Sequence, residues 1–314
     1  MRLGVIGAGG IAVRHLAALE QEGGEGVTVV AHLARGPERA ARAAERFGGA
    51  AFTDIDAFIG EGRPDAVLVT LPPAEHGAVE RALIAARIPM LVEKPIGLDL
   101  ATPLAIGAAA EASGLVVAAG YNWRALDTLD RVRELLDETP AQMVLGRFHI
   151  GTPATPWWRF AAQSGGQFLE QACHLVDLAR HLVGEGELLG AAGAFGRLPE
   201  FADGDVAGTS AALLRFGGVP GVVTATCLLP GGPGAELRLI CAGREIVITL
   251  GGVTVATNGT TESLESRSSS YVRQNLRFFA AVRAGEPDAV FCTYADAIRT
   301  HRLCLAITEA VAAA

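Results

Sequence analysis

Through roughly the first 120 residues, short apolar runs alternate with Ala-rich runs of helical length. The apolar runs are "RLGVI", "VTVVAHL", "DAVLVTL", "IPMLVE" and "GLVVAAG". They are nearly continuous rather than alternating, which is how strands covered on both faces read. Between them lie "IAVRHLAALEQE", "PERAARAAERFG", "AEHGAVERALIAAR" and "TPLAIGAAAEAS", each long enough for a helix. In the last of these, Thr102 and Pro103 suit an N-cap and first turn, and Gly114 suits the end. Strand–helix alternation predicts a parallel sheet with right-handed crossovers.

After about residue 121 the pattern changes. A helix is expected over Arg124 to Asp137, a strand over Met143 to Ile150, and then a Pro/Trp loop. One long helix follows, from Gly165 to Val183. The runs "GTSAALLRF", "GVVTATCLL", "AELRLIC", "REIVITL" and "GVTVAT" come next, with tight turns such as "PGGPG", and predict a mainly antiparallel sheet. The polar stretch "TNGTTESLESRSSS" reads as a loop. Two helical runs, Tyr271 to Ala284 and Thr293 to Ala312, close the chain. The expected division is residues 1–121 and 122–314.

Composition narrows the field. Half of the 314 residues are hydrophobic and 19% are charged, enough for a sizeable core. A net charge of −8 with no basic block argues against nucleic acid or an anionic membrane as partner. The five cysteines form no C-x-x-C pair, which argues against a zinc site or a disulfide framework and suits a reducing cytoplasm. The N-terminus enters an apolar strand at once, without the apolar region and cleavage site of a signal peptide. The apolar segment Leu104 to Gly120 is broken by Glu111 and Ser113, so it reads as a helix and a strand, not a membrane span.

Candidate chemistry begins at "VIGAGGIA", which places Gly7-x-Gly9-x-x-Ala12 between a strand and a helix. Gly7 permits the tight turn, Gly9 lets backbone approach a pyrophosphate, and Ala12 lets helix and strand pack. With Gly10 and Ile11, these residues open a helix whose free N–H groups favour phosphate. The alternative is a small-residue turn with no ligand. The second strand of such a unit ordinarily ends in an acid that holds the adenosine ribose. Here "VVAHLARGPER" has Ala34 and Arg35 instead. A guanidinium accommodates a 2′-phosphate, which favours NADP over NAD.

The run "IPMLVE" ends in Glu93, Lys94 and Pro95. Ligands of open parallel sheets bind outside the carboxyl ends of the strands. Lys94 there is a candidate to help move a proton or to hydrogen-bond an oxygen becoming a carbonyl. A lysine snorkelling from a loop is the bland alternative.

The combination of "GxGxxA", "EKP" after a strand, "PPAEH", "GYNWR" and "GGQFLEQACHLVDLARHLVG" resembles the Gfo/Idh/MocA oxidoreductases across nearly the whole chain. The resemblance implies an α/β protein: an N-terminal Rossmann parallel sheet plus a C-terminal α+β domain with a mainly antiparallel open sheet. It implies NAD(P)-dependent dehydrogenation of a sugar, inositol or related polyol. It also implies homodimers or homotetramers formed through that sheet. Leu71, Pro72, His76, Glu93 and Lys94 would join the cofactor site, and His174 corresponds to the family's catalytic histidine. The family often has an aspartate four residues earlier, where this chain has Glu170.

On a continuous helix, Gln167, Glu170, His174, Asp177 and His181 would share a stripe about 80° wide. Glu170 or Asp177 could then orient the His174 imidazole. His181 lies too far along the axis to share a metal with Glu170 and His174, so no metal is expected. Asn122, Arg124, Trp157, Trp158 and Arg159 are substrate candidates. Indole faces suit sugar C–H faces and Arg suits hydroxyls or a carboxylate; a hydrophobic plug is the equal alternative for one of the two tryptophans. Two rivals stay open: a reductase of a non-sugar substrate on the same fold, and a catalytically silent nucleotide sensor.

Overall fold

The computed structural model describes residues 1–24 and 26–313. Packing divides the chain into two units. The first is Met1–Ala125 with Ser268–Ile298, and the second is Leu126–Arg267 with Arg299–Ala314. Where the sequence pattern suggests one division at residue 121, the contacts therefore group a late segment with the first unit.

The first unit holds strands β1 (Arg2–Ile6), β2 (Thr28–Leu33), β3 (Ala50–Phe52), β4 (Ala66–Val69), β5 (Met90–Val92) and β6 (Val117–Ala119). They form one sheet in the order β3-β2-β1-β4-β5-β6, parallel throughout. The order reverses at β1, which produces the crevice that such sheets use for ligands. The crossover helices are α1 (Gly10–Glu22), α2 (Pro37–Phe47), α3 (Ala78–Ala85) and α4 (Ala101–Ser113). The predicted strands form because their residues are buried; all four of β4 are. Strand β3 carries no apolar run of its own and pairs only through three residues of β2, so periodicity could not reveal it. Two helix starts also differ from expectation. α3 begins at Ala78, after a separate 3-10 turn at Pro73–Glu75. α4 begins one residue before Thr102, whose N–H donates to Asp99 Oδ1 at 2.8 Å, so Asp99 supplies the cap.

Helix Ser270–Ala284 returns to this unit. Its Phe278, Phe279 and Ala281 join Leu3, Val5, Ala12, Leu16 and Leu19 in one buried cluster. The aromatic pair covers the α1 side of the sheet, which is why a segment so late in the chain belongs here.

The second unit holds an eight-stranded sheet: β7 (Ala141–His149), β8 (Gly186–Ala194), β9 (Thr209–Phe216), β10 (Val219–Thr226), β11 (Gly234–Cys241), β12 (Arg244–Thr249), β13 (Gly252–Thr257) and β14 (Thr260–Glu265). The order is β14-β13-β12-β11-β7-β10-β9-β8. All pairs are antiparallel except β7 with β10. β9 alternates buried and exposed residues along its length, as a sheet covered on one face does. The expected loop over residues 257–270 is in part strand β14. Its residues are almost all exposed, so only the backbone ladder to β13 makes it a strand. Charged side chains on such an edge discourage further pairing.

Three helical segments of this unit matter below: α5 (Leu129–Glu138), α6 (Gln167–Glu170) and α7 (Cys173–Val183). The single helix expected over Gly165 to Val183 is therefore two. Gln171, at φ −121° and ψ −62°, leaves helical geometry and breaks it.

Candidate functional site: a nucleotide cradle and a histidine helix

The cradle lies in the first unit. Gly7 has φ +96°, and a Cβ there would fall 2.4 Å from the Thr70 carbonyl oxygen, so only glycine fits. The turn is stitched to both flanking strands: Gly7 N–H donates to Leu33 O at 2.9 Å, and Thr70 N–H to Ile6 O at 2.7 Å. Gly9 then caps α1 in extended geometry, with no side-chain cap and no acid in the first turn. A Cβ on Gly9 or Gly10 would meet nothing within 4 Å. Both glycines are exposed, Ile11 is half-buried and Ala12 is buried against the sheet. Bare N–H groups at the start of a helix, with open space before them, form an anion site. These residues fit the pyrophosphate of a dinucleotide.

At the end of β2, Ala34 is buried and Arg35 is exposed. The Arg35 guanidinium reaches Glu75 Oε1 at 3.0 Å. Glu75 belongs to the 3-10 turn that follows Leu71 and Pro72. Next to it, the buried His76 ring bonds through Nδ1 to Glu80, whose other oxygen accepts the Gly77 N–H at 2.6 Å. Burial pushes the Glu80 carboxyl up. The hydrogen bond and charge of His76, with the Gly77 N–H, outweigh this and hold it below its ordinary range. His76 Nε2 is buried and has no hydrogen-bond partner among the described residues.

Glu93, at the end of β5, is 4% exposed. Its Oε1 takes a hydrogen bond from His15 Nε2 at 2.8 Å and its Oε2 one from the Lys94 N–H at 3.2 Å. His15, fully buried on α1, bonds through Nδ1 to Asn275 Oδ1 at 2.9 Å and stands edge-on to Tyr271. A Cβ on Gly120 would lie 2.6 Å from the Glu93 carboxyl, so the residue after β6 must be small. This Asn275–His15–Glu93 chain ties the helix of the glycine turn to the turn bearing Lys94, which is itself half-buried. Sequence reasoning passed over His15. The signal was there: a histidine inside the apolar stripe Ala12, Leu16, Leu19 needs buried partners. Asn122 and Arg124 are also buried. Asn122 Nδ2 donates to Ser270 Oγ at 2.9 Å and Arg124 pairs with Asp296.

In the second unit, the break at Gln171 ends the simple projection that put Glu170 on a stripe with His174. The Glu170 Oε2 accepts the indole N–H of Trp158 at 2.7 Å. Trp158 is 2% exposed and packs with Val206 and Cys227, whereas Trp157 is half-buried beside them. Arg159 pairs with Asp203 at 2.7 Å. His174 is half-buried in the first turn of α7. Asp177, fully buried, accepts the Thr300 hydroxyl at 2.7 Å and lies 4.0 Å from Arg180. Arg180 donates to Thr300 at 2.6 Å and reaches Glu185 at 3.0 Å. His181 is exposed and accepts from Arg133 at 2.8 Å. Among the described residues no group of three or more His, Cys, Asp or Glu could hold a metal ion, and no helix is long and apolar enough to cross a membrane.

Residues 1–121 match the family described as "Oxidoreductase family, NAD-binding Rossmann fold", and residues 132–247 match the "GFO/IDH/MocA C-terminal domain". The chain belongs to the GFO/IDH/MocA oxidoreductase family. It is 28% identical over 191 residues to a myo-inositol 2-dehydrogenase of Thermotoga maritima, covering 59% of this chain and 55% of that protein. It is 33% identical over 190 residues to a dTDP-3,4-didehydro-2,6-dideoxy-α-D-glucose 3-reductase of Streptomyces violaceoruber, with the same coverages. The chain thus spans about half the length of each of these two relatives. A 3-ketoreductase from Actinomadura kijaniata, solved with NADP and TDP-benzene, superimposes with a TM-score of 0.84 at 25% identity, over 99% of this chain and 98% of that one. Both the parallel sheet and the mainly antiparallel sheet of this GFO/IDH/MocA member agree with the fold expected from its sequence.

Proposed function

We propose that this chain is an NAD(P)-dependent oxidoreductase that interconverts a secondary alcohol and a ketone on a sugar, inositol or related polyol. The observation that carries this is the bare, uncapped N-terminus of α1 behind Gly7, at the reversal point of a parallel sheet. The bound nicotinamide supplies the site that accepts or donates the hydride. Gly7, Gly9, Gly10, Ile11 and Ala12 hold the pyrophosphate end, Ala34 and Arg35 the adenosine end, and Leu71, Pro72, His76 and Glu93 the rest. Arg35 supports NADP as the preferred nucleotide.

His174 takes the proton of the substrate hydroxyl, or returns it in the reverse direction. Lys94 is the hydrogen-bond donor that stabilises negative charge developing on a substrate oxygen. Trp157 and Arg159 are kept as groups that meet substrate. Asn122 and Arg124 brace the first unit and Trp158 the second, all three buried and bonded within their own unit. Glu170 fixes Trp158 and Asp177 anchors α7, so both position His174 rather than exchange its proton.

We further infer a homodimer or homotetramer in a reducing cytoplasm. The outward side chains of the second sheet include exposed Met143, Leu213 and Val222, and Val222 lies opposite Leu213 in the ladder. An apolar strip of this kind suits a second copy of the chain.

The test is a titration with NADPH and NADH, followed by turnover on inositols, free sugars and dTDP-sugars. Lys94→Ala and His174→Ala should each lower kcat by about 10²–10⁴-fold while nucleotide still binds. Nucleotide binding without turnover on any substrate would favour the silent sensor. Unchanged turnover in both variants would defeat the assignments.

A further inference from the structure

We propose that Glu75 sets the balance between NADP and NAD, acting through Arg35. This rests on the nucleotide-binding function proposed above. The second strand lacks the acid that ordinarily receives the adenosine ribose, yet a carboxylate stands at its end. Glu75 Oε1 lies 3.0 Å from the Arg35 guanidinium. Arg35 follows β2 and Glu75 follows β4, and in the sheet these strands flank β1. The ion pair therefore runs across the carboxyl end of β1, the strand that leads into the glycine turn.

Glu75 is held in place by its own segment. Pro72 and Pro73 restrict the backbone before it, and its N–H donates to Pro72 O at 2.9 Å. The His76–Glu80 pair fixes the chain just beyond. The carboxylate thus reaches Arg35 from a rigid turn.

The two nucleotides ask opposite things of this pair. A 2′-phosphate is a dianion that pairs with Arg35, and it must compete with Glu75 for the guanidinium and tolerate the carboxylate beside it. A ribose 2′-hydroxyl instead donates a hydrogen bond to a carboxylate, as it does to the usual acid of the second strand. Glu75 is then that acid, delivered from a different loop, and Arg35 is the group that still admits the phosphate. Arg39 and Arg42 line a cavity of about 260 Å³ that extends to Gly7 and Ala8. They add positive potential beside the glycine turn, which favours an anionic ligand there. The enzyme is accordingly assigned dual nucleotide use, with selectivity set by the Arg35–Glu75 contact rather than by Arg35 alone.

The experiment measures the Kd of NADPH and NADH by fluorescence on the full chain, for wild type, Glu75→Gln, Arg35→Gln and the double variant. Glu75→Gln should tighten NADPH by about three- to tenfold and leave NADH unchanged or weaker. The gain should shrink in high salt. Arg35→Gln should weaken NADPH, and Glu75→Gln should then confer a smaller gain in that background. Thermal midpoints of the nucleotide-free variants should match wild type, because both side chains are partly exposed. An NADPH/NADH ratio unchanged by Glu75→Gln, with Arg35→Gln still altering it, would overturn the proposal. So would a Glu75→Gln gain in NADPH affinity that is as large without Arg35 as with it. Wild type that binds neither nucleotide would end the cofactor assignment itself, and this proposal with it.

Discussion

Replacing His15 with Phe tests how the Lys94 turn is held. His15 is fully buried on α1, and its two ring nitrogens meet Glu93 Oε1 at 2.8 Å and Asn275 Oδ1 at 2.9 Å. Phenylalanine keeps the edge contact with Tyr271 but removes both hydrogen bonds. Among the described residues, the Glu93 carboxylate is then left with the longer bond from the Lys94 N–H. Losing one hydrogen bond to a buried charged acceptor costs about 1.5–3 kcal/mol, and leaving the Asn275 oxygen unmatched adds about 1 kcal/mol. The total of about 2.5–4 kcal/mol overlaps the range for breaking a buried ion pair on one side. At about 2–4 °C per kcal/mol for a unit of this size, the midpoint should fall by about 5–16 °C. Urea and thermal unfolding followed by circular dichroism would measure it, with a second probe to test for coincident transitions. His15→Phe combined with Glu93→Met should recover most of the loss, because both partners are then apolar. A single-variant cost under about 1 kcal/mol, or a double variant as unstable as the sum of the singles, would refute the network.

Three further outcomes follow from local geometry. Gly7→Ala drives a Cβ to 2.4 Å from the Thr70 carbonyl at a positive φ, so it should cost at least about 2 kcal/mol and abolish NADPH binding in a fluorescence titration. Glu80 has its folded pKa depressed below the ordinary value of 4.5. Its contribution is full above that value and lost as pH falls through the folded pKa. The Glu80→Gln penalty, measured by urea melts across pH, should therefore be largest at neutral pH and shrink in acid; a penalty independent of pH would contradict this. Thr300→Val removes both the donor to Asp177 and the acceptor for Arg180. It should destabilise by about 2–3 kcal/mol, with kcat falling far less than in His174→Ala.

Much of the fold was legible because a strand buried on both faces must be apolar throughout, and a helix covering it must be long enough to span it. β1, β2, β4 and β5 declared themselves in this way, as did the glycine turn between β1 and α1. The short edge strand β3, the Ala- and Gly-rich β8 and the polar β14 did not, because backbone pairing rather than side-chain burial makes them strands. The candidate residues were legible by type and position, but their partners were not. The Glu75 partner of Arg35 is 40 positions away and the His15 partner of Glu93 is 78. The break at Gln171 shows the same limit: a helical wheel assumes that the helix continues, and residues 167–183 have no proline to say otherwise. Sequence by itself determined which segments must be buried and which chemistry the chain carries, since both are properties of the side chains taken one at a time. Only the tertiary structure decided which carboxylate meets which cation, because hydrogen bonds form between groups that folding brings within 3 Å or so, whatever their separation along the chain.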